Sequence, residues 1–245
     1  MAAHTPVNHC RPRRCRVRPA SPEPVWLFDL DNTLHDSSRA IFKAIDSAMT
    51  AAVMASLDVD LETASRLRST YWKRYGATVI GMVRHHGVDA GAFLELSHRF
   101  DVESLVHGET GLAYKLKRLP GRKILLTNAP LGYARKVLKK LGILHCFDSL
   151  WTIDHMKLQG RIRPKPSLAL MRQVLARLDV PAGRVVLVED TLKNLKSARQ
   201  IGMKTIHVYH PLTPFSAAYS GRGSYVGLRA NSIGHVLLGR RGLRG

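Results

Sequence analysis

Two aspartates, Asp29 and Asp31, stand two residues apart where the apolar run Val25-Trp26-Leu27-Phe28 ends, and Asn32-Thr33-Leu34 follows them. An apolar run that stops at Asp reads as a buried parallel strand, whose C-terminal end delivers polar groups to the crevice where open α/β sheets bind ligands. Two carboxylates this close repel each other, so the pair needs a neutralising cation or a proton on one member. Both remedies point to phosphoryl chemistry with Mg²⁺. Asp, Asn and Thr after a strand also serve as turn and helix-cap residues, so other segments must discriminate.

Leu126-Thr127-Asn128 closes a second apolar run, and Glu189-Asp190 closes a third. Three strands that finish in polar groups at one sheet edge converge on a site, although each ending alone could be a cap or a turn. The fourth segment is Arg163-Pro164-Lys165-Pro166. Its prolines stiffen the backbone and hold Lys165 at the start of a helix, where a cation is unfavourable unless an anion faces it. A phosphate or Asp29 would be that anion.

In their order and separation these four segments resemble the motifs of the haloacid dehalogenase superfamily of phosphatases, over residues 25 to about 210. The resemblance implies an aspartyl-phosphate mechanism with Asp29 as nucleophile. Asp31 would act as general acid and then base, which requires a raised pKa. Mg²⁺ would be held by Asp29, the backbone carbonyl of Asp31 and Asp190, with Glu189 acting through water. Thr127, the Asn128 amide and Lys165 would bind phosphate oxygens. Asn194, one helical turn past Asp190, would orient that carboxylate. The dehalogenases of the superfamily lack an aspartate at the position of Asp31, so its presence favours phosphate esters.

The elements that must position these groups follow from periodicity. Residues 41–53 and 61–71 carry apolar positions at i, i+3, i+4 and i+7, and Phe93, Leu96 and Phe100 continue a helical pattern, giving an insertion of mostly helix. From Lys123 onward strands and helices alternate, with strands expected at 123–127, 150–153, 184–188 and 204–209 and helices at 134–141, 166–178 and 195–201. The expected fold is α/β, a Rossmann-like parallel sheet core (25–36 and 107–210) with an inserted helical cap (37–106). The segment 1–24 reads as a disordered basic tail and 211–245 as a basic C-terminal tail, with one short element around 236–238.

The chain of 245 residues carries a formal charge of +20. Five arginines against Glu23 put +4 before Val25, and five more put +5 from Pro211 onward, which leaves +11 in between. That remainder would steer an anionic substrate. Because much of the charge lies in the tails, nucleic acid is not the expected partner; a basic nucleic-acid-binding protein on the same fold, carried by those tails, is the alternative from a different class. Cys10, Cys15 and Cys146 are too few for a disulfide framework or a four-ligand zinc site. No apolar run approaches the ~20 residues that span a bilayer, so the expectation is a cytoplasmic protein with no membrane partner.

Within the superfamily, 71–89 and Leu138 to Asp148 are similar to pyrimidine 5′-nucleotidases. That similarity implies a small phosphorylated metabolite, a pyrimidine nucleoside 5′-monophosphate, as substrate. Trp72 and Tyr75 could stack a base, or could pack as helix core. Phosphoglycolate or a sugar phosphate is the alternative substrate. His85-His86 is expected to point in opposing directions, and the pair His207 and His210 sits at a strand exit without a third metal ligand.

Overall fold

The structure, a computed structural model, describes residues 23–38, 40–209 and 223–238. The remaining parts of the two basic tails, with Cys10 and Cys15, and His210 lie outside the described residues. Six parallel strands form one sheet in the order β3-β2-β1-β6-β7-β8. They are β1 (Val25–Phe28), β2 (Arg122–Leu126), β3 (Ser149–Trp151), β6 (Val185–Glu189), β7 (Lys204–Val208) and β8 (Leu228–Ala230). A two-residue hairpin, β4 (Lys157–Leu158) with β5 (Arg161–Ile162), stands apart from the sheet.

β1 is central because every one of its residues is apolar and buried, as a parallel strand covered on both faces requires. Its alternation divides the core. Trp26 and Phe28 join Leu125, Val186 and Val188 under α5 (Leu112–Arg118), α6 (Leu131–Lys140) and α9 (Ile233–Leu238). Val25 and Leu27 join Ile124, Leu126, Val185 and Leu187 under α7 (Leu168–Leu178) and α8 (Leu192–Gln200). Each large apolar side chain buried this way contributes roughly 1.5–3 kcal/mol.

The strands are in register at their C-terminal ends. Phe28 faces Leu125 on one side and Val188 on the other, so Asp29, Thr127 and Glu189 emerge along one edge. The Asp29 N–H donates to the Val188 carbonyl at 3.0 Å and the Thr127 N–H to the Trp151 carbonyl at 3.0 Å, which carries the pairing just past the strands.

Between β1 and β2 the chain builds α1 (Ile41–Leu57), α2 (Leu61–Tyr75), α3 (Thr78–His86) and α4 (Ala90–Ser97). Asp60 and Asp89 cap α2 and α4, accepting from Thr63 N–H at 2.7 Å and Ala92 N–H at 2.8 Å. These helices share their own core of Val53, Ala64, Tyr71, Val79, Met82 and Phe93, into which Ile153 projects from the turn after β3. The cap and the sheet domain therefore share apolar contact as well as two connecting segments.

Three expectations need correction. The strand expected at 150–153 ends at Trp151, because the Thr152 hydroxyl and N–H bond to the His155 ring and turn the chain into a 3₁₀ helix. α7 begins at Leu168 with Ser167 as its cap, two residues after the expected start. The stretch from 211 is more than a basic tail: β8 pairs with β7, and Val226, Ile233, Val236 and Leu237 are buried. Three-residue pairing and sparse apolar positions carry little periodic signal. Among the described residues no helix is long and apolar enough to cross a membrane.

Gly81 lies in α3 where a Cβ would fall inside the Tyr71 ring. Helix propensity alone would make Gly81→Ala stabilising by about 1 kcal/mol. We expect instead a loss of roughly 1–3 kcal/mol from overpacking, read as a lower denaturant midpoint and faster amide exchange in α2 and α3.

Candidate active site

Asp29 is the first residue past β1 and is nearly buried, at 7% exposure. Its Oδ1 accepts from the Lys165 ammonium at 2.6 Å, and the same ammonium donates to Glu189 Oε2 at 2.6 Å. Lys165 is itself only 2% exposed. A buried cation without partners would be prohibitive, so the lysine is held by the carboxylates as much as it holds them. Among the described residues, the Asp29 Oδ2 partner is the Thr33 hydroxyl, at 3.5 Å.

The segment that carries Lys165 is not in a regular element, and the Asn128 side chain supplies what a strand partner would. Its Nδ2 donates to the Lys165 carbonyl at 3.0 Å and its Oδ1 accepts from the Lys165 N–H at 2.9 Å. This clamp was not foreseen from the sequence, which points only to the Asn128 backbone amide as a phosphate ligand. Thr127 is buried, and its hydroxyl accepts from the Ala129 N–H at 3.1 Å.

Glu189 also accepts from the Thr191 N–H at 3.2 Å through Oε1. The Thr191 hydroxyl donates to Asp190 Oδ1 at 3.1 Å, and the His207 ring bonds the Asp190 carbonyl through Nε2 at 3.0 Å. Carboxylate oxygens of Asp29, Glu189 and Asp190 lie within 4.8 Å of one another. Three carboxylates thus gather where one ammonium pairs with two of them, and oxygen-only donors with excess negative charge are what a hard divalent cation binds. Asn194 is buried one turn into α8, but among the described residues its side chain makes no hydrogen bond to Asp190.

Asp31 sits in the turn that follows. Its Oδ1 accepts from His35 Nε2 at 3.1 Å, the Ser37 hydroxyl at 3.1 Å and the Tyr133 hydroxyl at 2.7 Å. Asn32, in the left-handed region at φ 56°, closes this turn by accepting from the Ser37 N–H at 2.9 Å. His35, Ser37 and Tyr133 were not singled out by sequence reasoning. His35 stands at i+4 from Asp31, a weak local signal, whereas Tyr133 is 102 residues away and has none.

Electrostatics divide the aspartates. Burial, then the Glu189 carboxylate, push Asp29 up to about 8 against the pull of Lys165. Burial, then Glu189 and Asp29, hold Asp190 well above the carboxylate range. Burial disfavours the Lys165 ammonium, but Asp29 and Glu189 outweigh it and raise its pKa. Asp31 departs from expectation: burial would raise it, yet the donors His35, Tyr133 and Ser37 together lower it. The raised pKa expected for Asp31 is found on Asp29.

The cap residues are only indirectly connected. Tyr75 precedes Gly76, where a Cβ would come within 2.8 Å of the Lys165 carbonyl, so this turn rests on the lysine segment. The Tyr75 hydroxyl bonds His85 Nε2 at 2.7 Å, and the Tyr71 hydroxyl bonds His86 Nε2 at 2.7 Å. The two histidines therefore gather on one tyrosine pair instead of pointing in opposing directions, because consecutive helical residues diverge by about 100° and Tyr71 fills that angle. Trp72 is 54% exposed and has no ring contact among the described residues.

A parallel sheet with buried acids and a lysine at its C-terminal edge, facing an inserted helical unit, is the arrangement of an α/β enzyme whose chemistry lies outside the strand ends. The sequence matches the haloacid dehalogenase-like hydrolases over residues 25–202, and the chain belongs to that family. It is 24% identical over 211 residues to Phosphate metabolism protein 8 of Saccharomyces cerevisiae, a match that covers 78% of this chain and 64% of the yeast protein, under two thirds of its length. It is 26% identical over 204 residues to glyceraldehyde 3-phosphate phosphatase of Methanocaldococcus jannaschii, covering 74% of this chain and 83% of that protein. The fold is similar to that of CbbY from Rhodobacter sphaeroides, solved in complex with phosphate, with a TM-score of 0.61 at 21% identity over 87% of this chain and 96% of that one.

The shift at Asp29 has a sign in stability. Its pKa rises from 3.8 to about 8 on folding, so between those values the folded protein retains a proton that the unfolded chain releases. Stability in chelator should therefore fall as pH rises through that window, by a few kcal/mol. Asp29→Asn should flatten the dependence of the denaturant midpoint on pH.

Proposed function

We propose that the protein is a phosphomonoesterase with Asp29 as nucleophile and Mg²⁺ as cofactor, acting on a small phosphorylated metabolite. The observation that carries this reading is the buried Asp29 carboxylate, held through one oxygen by Lys165 and set beside Glu189 and Asp190. An Asp29 oxygen forms a bond to phosphorus as the ester P–O bond breaks; the leaving oxygen keeps that electron pair and takes a proton from Asp31. Water then attacks the aspartyl-phosphate, gives its proton to Asp31, and restores the Asp29 carboxylate with release of phosphate. Thr127, the Asn128 amide and Lys165 hold the phosphate oxygens throughout.

Asp29, Asp190 and the Asp31 carbonyl would hold Mg²⁺, which when bound supplies positive charge to the phosphate oxygens and offsets the repulsion among the carboxylates. Glu189 is committed to Lys165 and Thr191 and supports the site from behind.

For the substrate, the resemblance of the cap segment is what supports a pyrimidine nucleoside 5′-monophosphate. Residues 71–89 carry the similarity to pyrimidine 5′-nucleotidases. The backbone of the Tyr75-Gly76 turn rests on the Lys165 segment, while the Tyr75 side chain itself bonds His85 within the cap. A triose or other sugar phosphate is the second reading, supported by the resemblance to a glyceraldehyde 3-phosphate phosphatase.

Phosphate release from UMP, CMP, AMP, glyceraldehyde 3-phosphate, phosphoglycolate and glucose 6-phosphate decides between them. The expected result is turnover of UMP and CMP well above the rest, lost in chelator and restored by Mg²⁺. Asp29→Asn should lower it by about 10³-fold or more. Preference for a triose or sugar phosphate would retain the mechanism and replace the substrate; absence of hydrolysis from every ester by folded protein would overturn the enzyme reading.

A further inference from the structure

Every donor to Asp31 is aimed at the same oxygen. His35 Nε2, the Ser37 hydroxyl and the Tyr133 hydroxyl all converge on Oδ1, and among the described residues Oδ2 accepts no hydrogen bond. A carboxyl oxygen that already accepts three hydrogens has no lone pair left for a fourth. Any proton that Asp31 carries must therefore sit on Oδ2. We propose that Tyr133 is a positioning residue that holds Asp31 with Oδ2 as the single oxygen that exchanges a proton with the reacting phosphate ester. This rests on the assignment of Asp31 as the general acid and base.

Tyr133 is suited to that task in three respects. It comes from α6, on the far side of the cap in sequence, so it constrains Asp31 independently of the turn that contains His35 and Ser37. It is 4% exposed, and burial followed by the Asp31 charge raises its pKa, so the hydroxyl remains a donor. Its ring is also wedged in place. His98 meets it edge-on with ring centres 5.4 Å apart, and Phe100 packs on it at 6.2 Å. Both belong to the segment by which the chain returns from α4 to the sheet domain. The start of α6 is tied down in turn, since the Leu131 N–H donates to Asp154 Oδ2 at 2.8 Å. Asp154 neighbours Ile153, the residue that enters the core of the cap. The orientation of Asp31 thus depends on packing against the cap connection.

The chemistry makes a specific demand. Cleavage of the ester gives the bonding electron pair to the leaving oxygen, and the Oδ2 proton neutralises it. An acidic leaving group such as nitrophenol departs without that proton, whereas an alkoxide needs it. A misdirected Asp31 should therefore hurt poor leaving groups most, while a general packing defect should lower all esters alike.

The test is Tyr133→Phe, which keeps the ring against His98 and Phe100, measured as kcat/KM for phenyl phosphates of graded leaving-group acidity and for an alkyl phosphate. Tyr133→Met is a second variant without the hydroxyl, and thermal melts establish that each is folded. We expect kcat/KM to fall about 10- to 100-fold for the alkyl ester and by less than about threefold for the nitrophenyl ester, since general acid catalysis contributes about 10²–10⁴ in full. The dependence on leaving-group acidity should steepen, and Asp31→Asn should steepen it further. An equal loss across the series, or none, overturns the proposal. If Asp31→Asn leaves the dependence unchanged, the acid–base assignment itself fails and the role of Tyr133 falls with it.

Discussion

The structure depends on one buried cation. Lys165 lies between Asp29 and Glu189 at 2.6 Å from each, at the point where three strand ends meet. Desolvating a lone ammonium or a lone carboxylate would cost several kcal/mol, so none of the three groups could occupy this edge without the others. The consequence extends to the backbone. Lys165 arrives on a segment without strand partners, and the Asn128 side chain clamps that segment on both its N–H and its carbonyl. The polar end of β2 thus holds the lysine that neutralises the polar end of β1. The balance is incomplete, because Asp190 brings a third carboxylate that Lys165 does not touch. Burial first, and then that deficit of positive charge, raise the Asp29 and Asp190 pKa values, and the deficit makes the edge a place for a divalent cation or an incoming anion with its own counter-ion.

The two aspartates of the first strand end are treated differently by their surroundings. Asp29 faces the carboxylates and is held near neutral pH values by burial and repulsion. Asp31, two residues on, turns toward three donors and is held low. The separation runs opposite to the simplest expectation for a nucleophile and an acid. It follows from the acids sharing the lysine side of the edge while the donors gather on the other. Charge held in place by fixed donors needs no reorganisation when the site is used.

The cap is joined to this machinery by packing as well as by covalent linkage. Ile153 enters its core, Gly76 rests on the Lys165 carbonyl, and His98 and Phe100 press on the ring of Tyr133. Close-packed contacts of this kind transmit small shifts without dissipating them. How the cap sits therefore bears on the orientation of Asp31 and on the segment that carries Lys165.

The sequence by itself determined the sheet and the acidic edge. Short, wholly apolar runs that stop at Asp29, Thr127 and Glu189 report burial on both faces and a polar C-terminal end, and both are local properties of the chain. It also placed Lys165, since a lysine confined by two prolines announces itself. It did not disclose β8 and α9, where few apolar residues are spread among glycine, serine and arginine. Nor did it disclose which residues surround Asp31: Tyr133 lies on another helix, and no spacing links it to the turn it serves. Tertiary structure alone decided that Oδ1 is bonded three times, that Asp29 and not Asp31 has the raised pKa, and that His85 and His86 share a tyrosine pair. Residue types and spacing record what each segment must bury, whereas pKa values and hydrogen-bond direction depend on which distant side chains arrive within about 3 Å.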